Sequence, residues 1–124
     1  MNITVIGCGR WGTFIAWYLD SIGHNVKLYG KSNAPQMQEL LQTRKNNLIS
    51  LSDSMTLTTS LDDALSDAET IIVSIGSQAL RGLLGEIKPY EIKNQTFVLC
   101  MKGIETGTGR RLSEIAEENL DPSC

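Results

Sequence analysis

The chain has 124 residues, 41% of them apolar and 20% charged, with a formal net charge of −3 at pH 7. That is the length of one ordinary domain with apolar mass for one core, and the slightly acidic balance offers nothing that would attract a nucleic acid or an anionic membrane surface. No apolar run is long enough to span a bilayer, and the start lacks the basic-then-apolar pattern of a signal peptide. Three cysteines (Cys8, Cys100 and Cys124) and a single histidine, His24, suit neither a disulfide framework nor a metal site, and point to a reducing compartment, the cytoplasm by default.

In chain order, Asn2-Ile3-Thr4-Val5-Ile6 reads as a short buried strand, followed at once by glycines. Trp11, Phe14, Ile15, Tyr18, Leu19 and Ile22 recur at steps of three and four, one apolar helix stripe that Gly23 can end. Val26 to Tyr29 is a second strand. Pro35 opens a helix carrying Met37, Leu40 and Leu41. Asn46 to Ser54 is polar and reads as loop, and Met55 to Thr58 as a weaker strand. Ser60-Leu61-Asp62-Asp63 has the form of a helix N-terminus, introducing a short helix through Leu65. Thr70-Ile71-Ile72-Val73 is a β-branched run suited to a strand buried on both faces. Ser77 can cap a helix carrying Leu80, Leu83, Leu84 and Ile87. Thr96 to Cys100 is a fifth strand, and Thr108 can cap a last helix with Leu112, Ile115, Ala116 and Leu120 on one side. The final Leu120-Asp121-Pro122-Ser123-Cys124 reads as a helix stopping in a turn, compatible with a complete small domain or with a piece of a larger protein.

Strands alternate with helices throughout. The expected fold class is α/β, a Rossmann-like doubly wound parallel sheet in a single domain. Ligands of such sheets bind beyond the carboxyl ends of the strands, so the residues just after each strand carry the functional reading. After the first strand, Gly7-Cys8-Gly9-Arg10-Trp11-Gly12 is a G-x-G-x-x-G placed directly between strand and helix. Gly7 would permit the tight turn, Gly9 would let a pyrophosphate approach the backbone, and Gly12 would let the helix pack closely on the strand. The helix N-terminus then offers free N–H groups to the phosphates. The competing reading is a structural turn of small residues.

After the second strand comes Gly30-Lys31-Ser32. An NAD-preferring domain places an Asp or Glu about here for the ribose 2′-hydroxyl, and none is present. Lys31, with Arg10 reaching the same region, would favour the 2′-phosphate of NADP; the alternative is an ordinary surface lysine. After the fourth strand, small residues in Ser74-Ile75-Gly76-Ser77-Gln78 leave room for a ligand that Ser77 or Gln78 could bond, unless Ser77 only caps its helix. After the fifth strand, Lys102 would project at the same edge, suited to an anionic substrate or a polarised carbonyl, or it snorkels as a surface lysine. His24 falls at the opposite edge and reads as structural or exposed. Cys8 sits in the loop without an activating partner.

The segments VIGCGRWGTFIA, GHNVKLYGK, SQALRGLLGEIKP and MKGIETGTGRRLSEIAEE resemble successive motifs of bacterial NAD(P)-dependent glycerol-3-phosphate dehydrogenase, from Asn2 to about Leu120. The glycine loop is shared by many Rossmann proteins; Lys-Gly-Ile-Glu followed by Thr-Gly and Arg-Leu-Ser-Glu is more particular. The resemblance implies reduction of dihydroxyacetone phosphate to sn-glycerol 3-phosphate with NADPH or NADH, NADPH favoured, for phospholipid synthesis by a full enzyme that is a homodimer. It places Arg10 and Trp11 in the cofactor-binding loop, Lys31 on the adenosine side and Lys102 in touch with both cofactor and substrate; with the strand-end reading, the expected cofactor contacts are Gly7, Gly9, Arg10, Trp11, Gly12, Lys31, Ser77 and Lys102.

Three features depart from the family pattern. Arg10 stands where the family commonly has a small or polar residue, and Gly76 stands where it commonly has Pro. The helical second domain, with its general-acid lysine and substrate-phosphate residues, lies outside these 124 residues, as does a Ser-Gly-Pro segment. No catalytic residue is therefore assigned within the chain, and residues 1–124 are expected to form an NAD(P)-binding domain cut from a longer enzyme, inactive alone. Two other readings stay open. One is a non-catalytic nucleotide-sensing Rossmann domain of the potassium-transport type, which shares the Gly-Arg-aromatic loop but usually ends its second strand with Asp and lacks Lys-Gly-Ile-Glu. The other is a ketopantoate or hydroxyacid dehydrogenase, against which the Lys102 segment argues.

Overall fold

The computed structural model describes residues 1–124. Its elements are β1 (Asn2–Ile6), α1 (Arg10–Ser21), β2 (Asn25–Tyr29), α2 (Pro35–Thr43), β3 (Thr56–Thr58), α3 (Leu61–Leu65), β4 (Thr70–Val73), α4 (Leu80–Ile87), β5 (Thr96–Leu99) and α5 (Leu112–Asn119). Short 3₁₀ turns, Ser77–Ala79 and Lys88–Tyr90, flank α4. The five strands form one sheet in the order β3-β2-β1-β4-β5, and every pairing is parallel.

Burial explains the order. Ile3, Thr4, Val5 and Ile6 of β1 are buried, as are Ile71, Ile72 and Val73 of β4, so these strands take the positions covered on both faces. Each such aliphatic side chain contributes about 1.5–3 kcal/mol by leaving water. One core, built on Leu80, Leu83, Leu84, Ile87, Leu112 and Ile115, lies under α3, α4 and α5. The second, with Val5, Ala16, Val26, Leu28, Met37 and Leu40, lies under α1 and α2 on the other face. The sheet is therefore doubly wound. The buried Thr4 hydroxyl is satisfied by donating to the Ala64 carbonyl at 2.5 Å, which ties β1 to α3.

Register brings the strand ends level. Ile6 pairs with both Tyr29 and Val73, and Val73 pairs with Leu99. Three further backbone bonds extend the ladder beyond the strands: Gly7 N–H to Tyr29 O at 3.0 Å, Ser74 N–H to Ile6 O at 2.8 Å and Cys100 N–H to Val73 O at 2.9 Å. The loops after β1, β2, β4 and β5 thus leave from one edge, and between β1 and β4 the chain connections diverge to opposite faces, the position where such sheets form a crevice.

Three local expectations are corrected. Ser77 does not cap α4: no side chain caps either the 3₁₀ turn or the helix, because the intervening turn separates Ser77 from the helix N-terminus. Thr108 does not cap α5. That helix begins at Leu112, and Glu114 Oε1 accepts from both the Arg111 backbone N–H at 3.1 Å and its Nε at 3.0 Å. Thr108 instead donates to Glu105 Oε1 at 2.6 Å.

The third concerns the α1 stripe, which splits. Gly12, Thr13 and Ala16 face the sheet, Ile15 and Leu19 are half-buried, and Trp11, Phe14, Tyr18 and Ile22 point to solvent. Small residues must face β1 because the helix lies so close to it: a Cβ on Gly12 would clash with the Gly7 carbonyl.

The loop between α2 and β3 is held from its start, where Arg44 adopts a left-handed φ of 55°. Its guanidinium donates to the carbonyls of Ser52 and Met55, and Ser52 in turn donates to Asp20 of α1 at 2.6 Å. No helix is long and apolar enough to cross a membrane.

Candidate functional site

A cleft of about 880 Å³ opens at the carboxyl edge, lined by the glycine loop, the β2 end, the β4–α4 segment and Met101-Lys102 after β5. Its floor is the turn from β1 into α1. Gly7 has φ 121°, and any Cβ there would collide with the Ser74 carbonyl, so glycine is required for the backbone to pass β4. Gly9 differs. Its φ is −69°, and a Cβ there would meet nothing within 4 Å. The space beside Gly9 therefore belongs to the cleft and not to the core.

The same turn opens α1 without a side-chain cap and without an acidic residue in the first turn. Its first N–H groups are left without intrahelical partners and carry the positive end of the helix dipole. The turn is held by Thr13, whose N–H bonds Gly9 O at 3.0 Å and whose hydroxyl donates to Cys8 O at 3.0 Å. An anionic group fits this site by charge and by space.

Cys8 also lines the cleft. It is buried, and burial pushes its thiol pKa up despite a backbone hydrogen bond. Gly30 accommodates it: a Cβ at Gly30 would lie 2.6 Å from Cys8 Sγ and 2.9 Å from Met37 Sδ. Gly30 is thus a packing glycine, a role not legible in its place after a strand.

Of the other singled-out residues, Arg10, Trp11, Lys31, Ser77 and Lys102 all line the cleft. Arg10 is exposed, also borders a smaller hollow with Gln36, Glu39 and Asn47, and forms no ion pair. Trp11 stacks on Phe14 with ring centroids 5.5 Å apart. Lys31 Nζ lies 4.0 Å from Glu86 Oε1 of α4. Lys102 is exposed and unpaired, in the turn before Gly103, whose φ is 111°.

Gln78 is not a cleft residue. Its side chain donates to Ile104 O at 3.0 Å and accepts from Thr106 N–H at 2.8 Å. Arg81 adds two bonds to the Glu105 carboxylate, at 2.8 and 3.1 Å. Together they clamp the Lys102 loop to the start of α4. The Arg81 and Thr108 hydrogen bonds hold the Glu105 carboxyl below its ordinary range.

Gly76, the departure from the family's proline, has φ −60° and ψ 137°. That φ is the one a proline ring imposes, so the segment keeps the path without the ring. His24 follows Gly23 at the amino edge before β2, far in the fold from the cleft.

Two polar lining residues carry no signal at a strand end: Asn33 and Glu86. Glu86 lies three residues beyond Leu83 and four beyond Gly82, which also line the cleft; that spacing on one helix face was the available clue.

A family model described as the N-terminus of NAD-dependent glycerol-3-phosphate dehydrogenase matches residues 2–124. The "Glycerol-3-phosphate dehydrogenase [NAD(P)+]" of Bacillus mycoides (strain KBAB4) is 36% identical over 127 residues, covering 98% of this chain and 37% of the relative. Among solved structures, glycerol-3-phosphate dehydrogenase from Coxiella burnetii superposes with a TM-score of 0.85 at 22% identity, over 96% of this chain and 37% of that one, a likeness of fold. The yeast enzyme superposes with a TM-score of 0.78 at 25% identity, over 97% of this chain and 39% of that one. The chain thus spans little more than a third of these relatives. The potassium-transport sensor reading falls with the family match, and so does the ketopantoate or hydroxyacid one. The chain belongs to the NAD-dependent glycerol-3-phosphate dehydrogenases, as their N-terminal, NAD(P)-binding part.

Proposed function

We propose that residues 1–124 are a single NAD(P)H-binding domain of a longer enzyme that interconverts dihydroxyacetone phosphate and sn-glycerol 3-phosphate. The observation that carries this is the open space beside Gly9 at the uncapped, acid-free N-terminus of α1. In this reading Gly7 and Gly12 shape the turn, Gly9 admits the pyrophosphate, and the N–H groups after it hold the phosphate oxygens. Arg10 and Trp11 flank the phosphates, Lys31 faces the adenosine ribose, and Ser77 and Lys102 face the nicotinamide end. Bound NAD(P)H supplies the hydride. Lys102 attracts and orients the anionic substrate, while proton transfer falls to an acid in a second, helical domain. The free cysteines support a reducing, cytoplasmic setting, and the family likeness supports a homodimer for the longer enzyme.

With cations at positions 10 and 31 and no carboxylate directly after β2, NADPH binds more tightly than NADH. A charge-assisted contact to the 2′-phosphate is worth about 1.5–3 kcal/mol, reduced at an exposed site. Titration calorimetry with both cofactors tests this. Binding of NADPH ahead of NADH, with the gap narrowed by Lys31→Ala, is expected; no dinucleotide binding at millimolar concentration would refute the reading.

A further inference from the structure

We infer that Glu86 is a cofactor-selecting residue: it places a carboxylate at the adenosine-ribose end of the cleft, opposite Lys31, and so holds NADPH preference in check. This rests on reading the cleft as the NAD(P)H site. NAD-preferring domains of this architecture supply a carboxylate from the segment just after the second strand, where this chain has Gly30-Lys31-Ser32-Asn33. The fold brings one to the same place from another element. Glu86, on α4, lines the cleft together with Lys31 and Asn33, and its Oε1 lies 4.0 Å from Lys31 Nζ.

The pair bridges two walls of the cleft, from the β2 end to α4. Both side chains remain well exposed, 65% for Lys31 and 50% for Glu86, so the pair is weak and exchangeable. The charge of Glu86 also reaches the cleft interior. The Tyr29 hydroxyl, on the lining residue that ends β2, has its pKa raised by burial first and then by Glu86 and Tyr90.

The two cofactors make opposite demands on this pair. The NADP 2′-phosphate carries close to two negative charges at neutral pH. It draws Lys31 off Glu86 and meets repulsion from the carboxylate. The NAD ribose carries a neutral hydroxyl, which donates to a carboxylate and leaves the lysine paired. One residue therefore attracts the phosphate while the other discriminates against it, and the chain accepts both cofactors with a modest bias.

The test is fluorescence or calorimetric titration of wild type and Glu86→Gln with NADH and with NADPH, at low salt and at about 0.15 M salt, where the Debye length is about 8 Å. Glu86→Gln keeps the size of the side chain on an exposed helix position, and circular dichroism verifies its fold. Opposite charges at this separation in water correspond to roughly a fivefold effect. NADPH affinity is expected to rise about fivefold at low salt, with NADH unchanged or weaker, and the gain is expected to shrink at the higher salt. An NADPH-to-NADH ratio unchanged within about twofold, with both cofactors bound, overturns the role of Glu86 and leaves the cofactor site standing. Failure of wild type to bind either one overturns both.

Discussion

At the scale of single residues, the glycines of the loop separate into two kinds. A Cβ at Gly12 would invade the Gly7 carbonyl, whereas one at Gly9 meets open cleft. Gly12→Ala is therefore expected to destabilise the fold by about 1–3 kcal/mol, the usual cost of overpacking a closed contact. Gly9→Ala is expected to leave the melting temperature nearly unchanged and to weaken dinucleotide binding about tenfold or more, since the new methyl occupies the space a pyrophosphate needs. Thermal melts paired with cofactor titrations distinguish the two; a Gly9→Ala chain that binds as wild type would remove Gly9 from the site. Gly76 invites the reverse experiment. Its φ of −60° already suits proline, its N–H donates no hydrogen bond within the chain, and a Cβ there meets nothing within 4 Å. Gly76→Pro is expected to stabilise by about 0.4–1 kcal/mol through the unfolded state, visible as a higher denaturation midpoint.

At the scale of elements, the loop bearing Lys102 is positioned by a partner element as well as by its own internal bonds. Gln78 and Arg81 hold Ile104, Glu105 and Thr106, and the Arg81 hydrogen bond is the main reason that the Glu105 carboxyl sits below its ordinary range, with Thr108 next. A carboxyl whose folded pKa is depressed contributes stability above its unfolded pKa and loses it as pH falls through the lowered folded value. Wild type is therefore expected to melt higher than Glu105→Gln near neutral pH, with the difference closing as the pH drops below the ordinary carboxylate range. A difference independent of pH would mean that the clamp works by shape alone. On α1, the outward residues respond differently. Tyr18 is 50% exposed, and Tyr18→Gln is expected to change stability by less than about 0.5 kcal/mol in a denaturant titration, although the helical period places Tyr18 on the apolar stripe.

For the whole molecule, four strand ends brought level by register put the glycine turn, the Lys31–Glu86 pair and Lys102 on one edge, but leave that edge open. Residues 1–124 alone are expected to bind NAD(P)H modestly and to show no oxidation of NADPH by dihydroxyacetone phosphate. In the proposed function Lys102 attracts the substrate, but one lysine cannot also hold the substrate phosphate in register, and positioning is a large share of the rate. A spectrophotometric assay of NADPH consumption checks this, and turnover at an ordinary enzymatic rate would show that the domain division proposed above is wrong.

The order of strands and helices and the glycine turn between β1 and α1 were legible because both are local. Apolar periodicity encodes which side of an element is buried, and G-x-G-x-x-G between a strand and a helix is a contiguous requirement of backbone space. The likeness of the Lys102 segment to one dehydrogenase family was equally contiguous. What the chain could not declare locally is what meets across the sheet. Gln78 turned out to grip a loop that lies 28 residues away, Thr108 to serve Glu105 in place of a helix end, and Gly30 to make room for Cys8 and Met37. Glu86 reads as an ordinary surface position of a helix until the order β2-β1-β4 swings α4 over the end of β2. Side-chain periodicity reports burial along one element, while the company a side chain keeps depends on strand order and register, and those are decided by packing of the whole sheet.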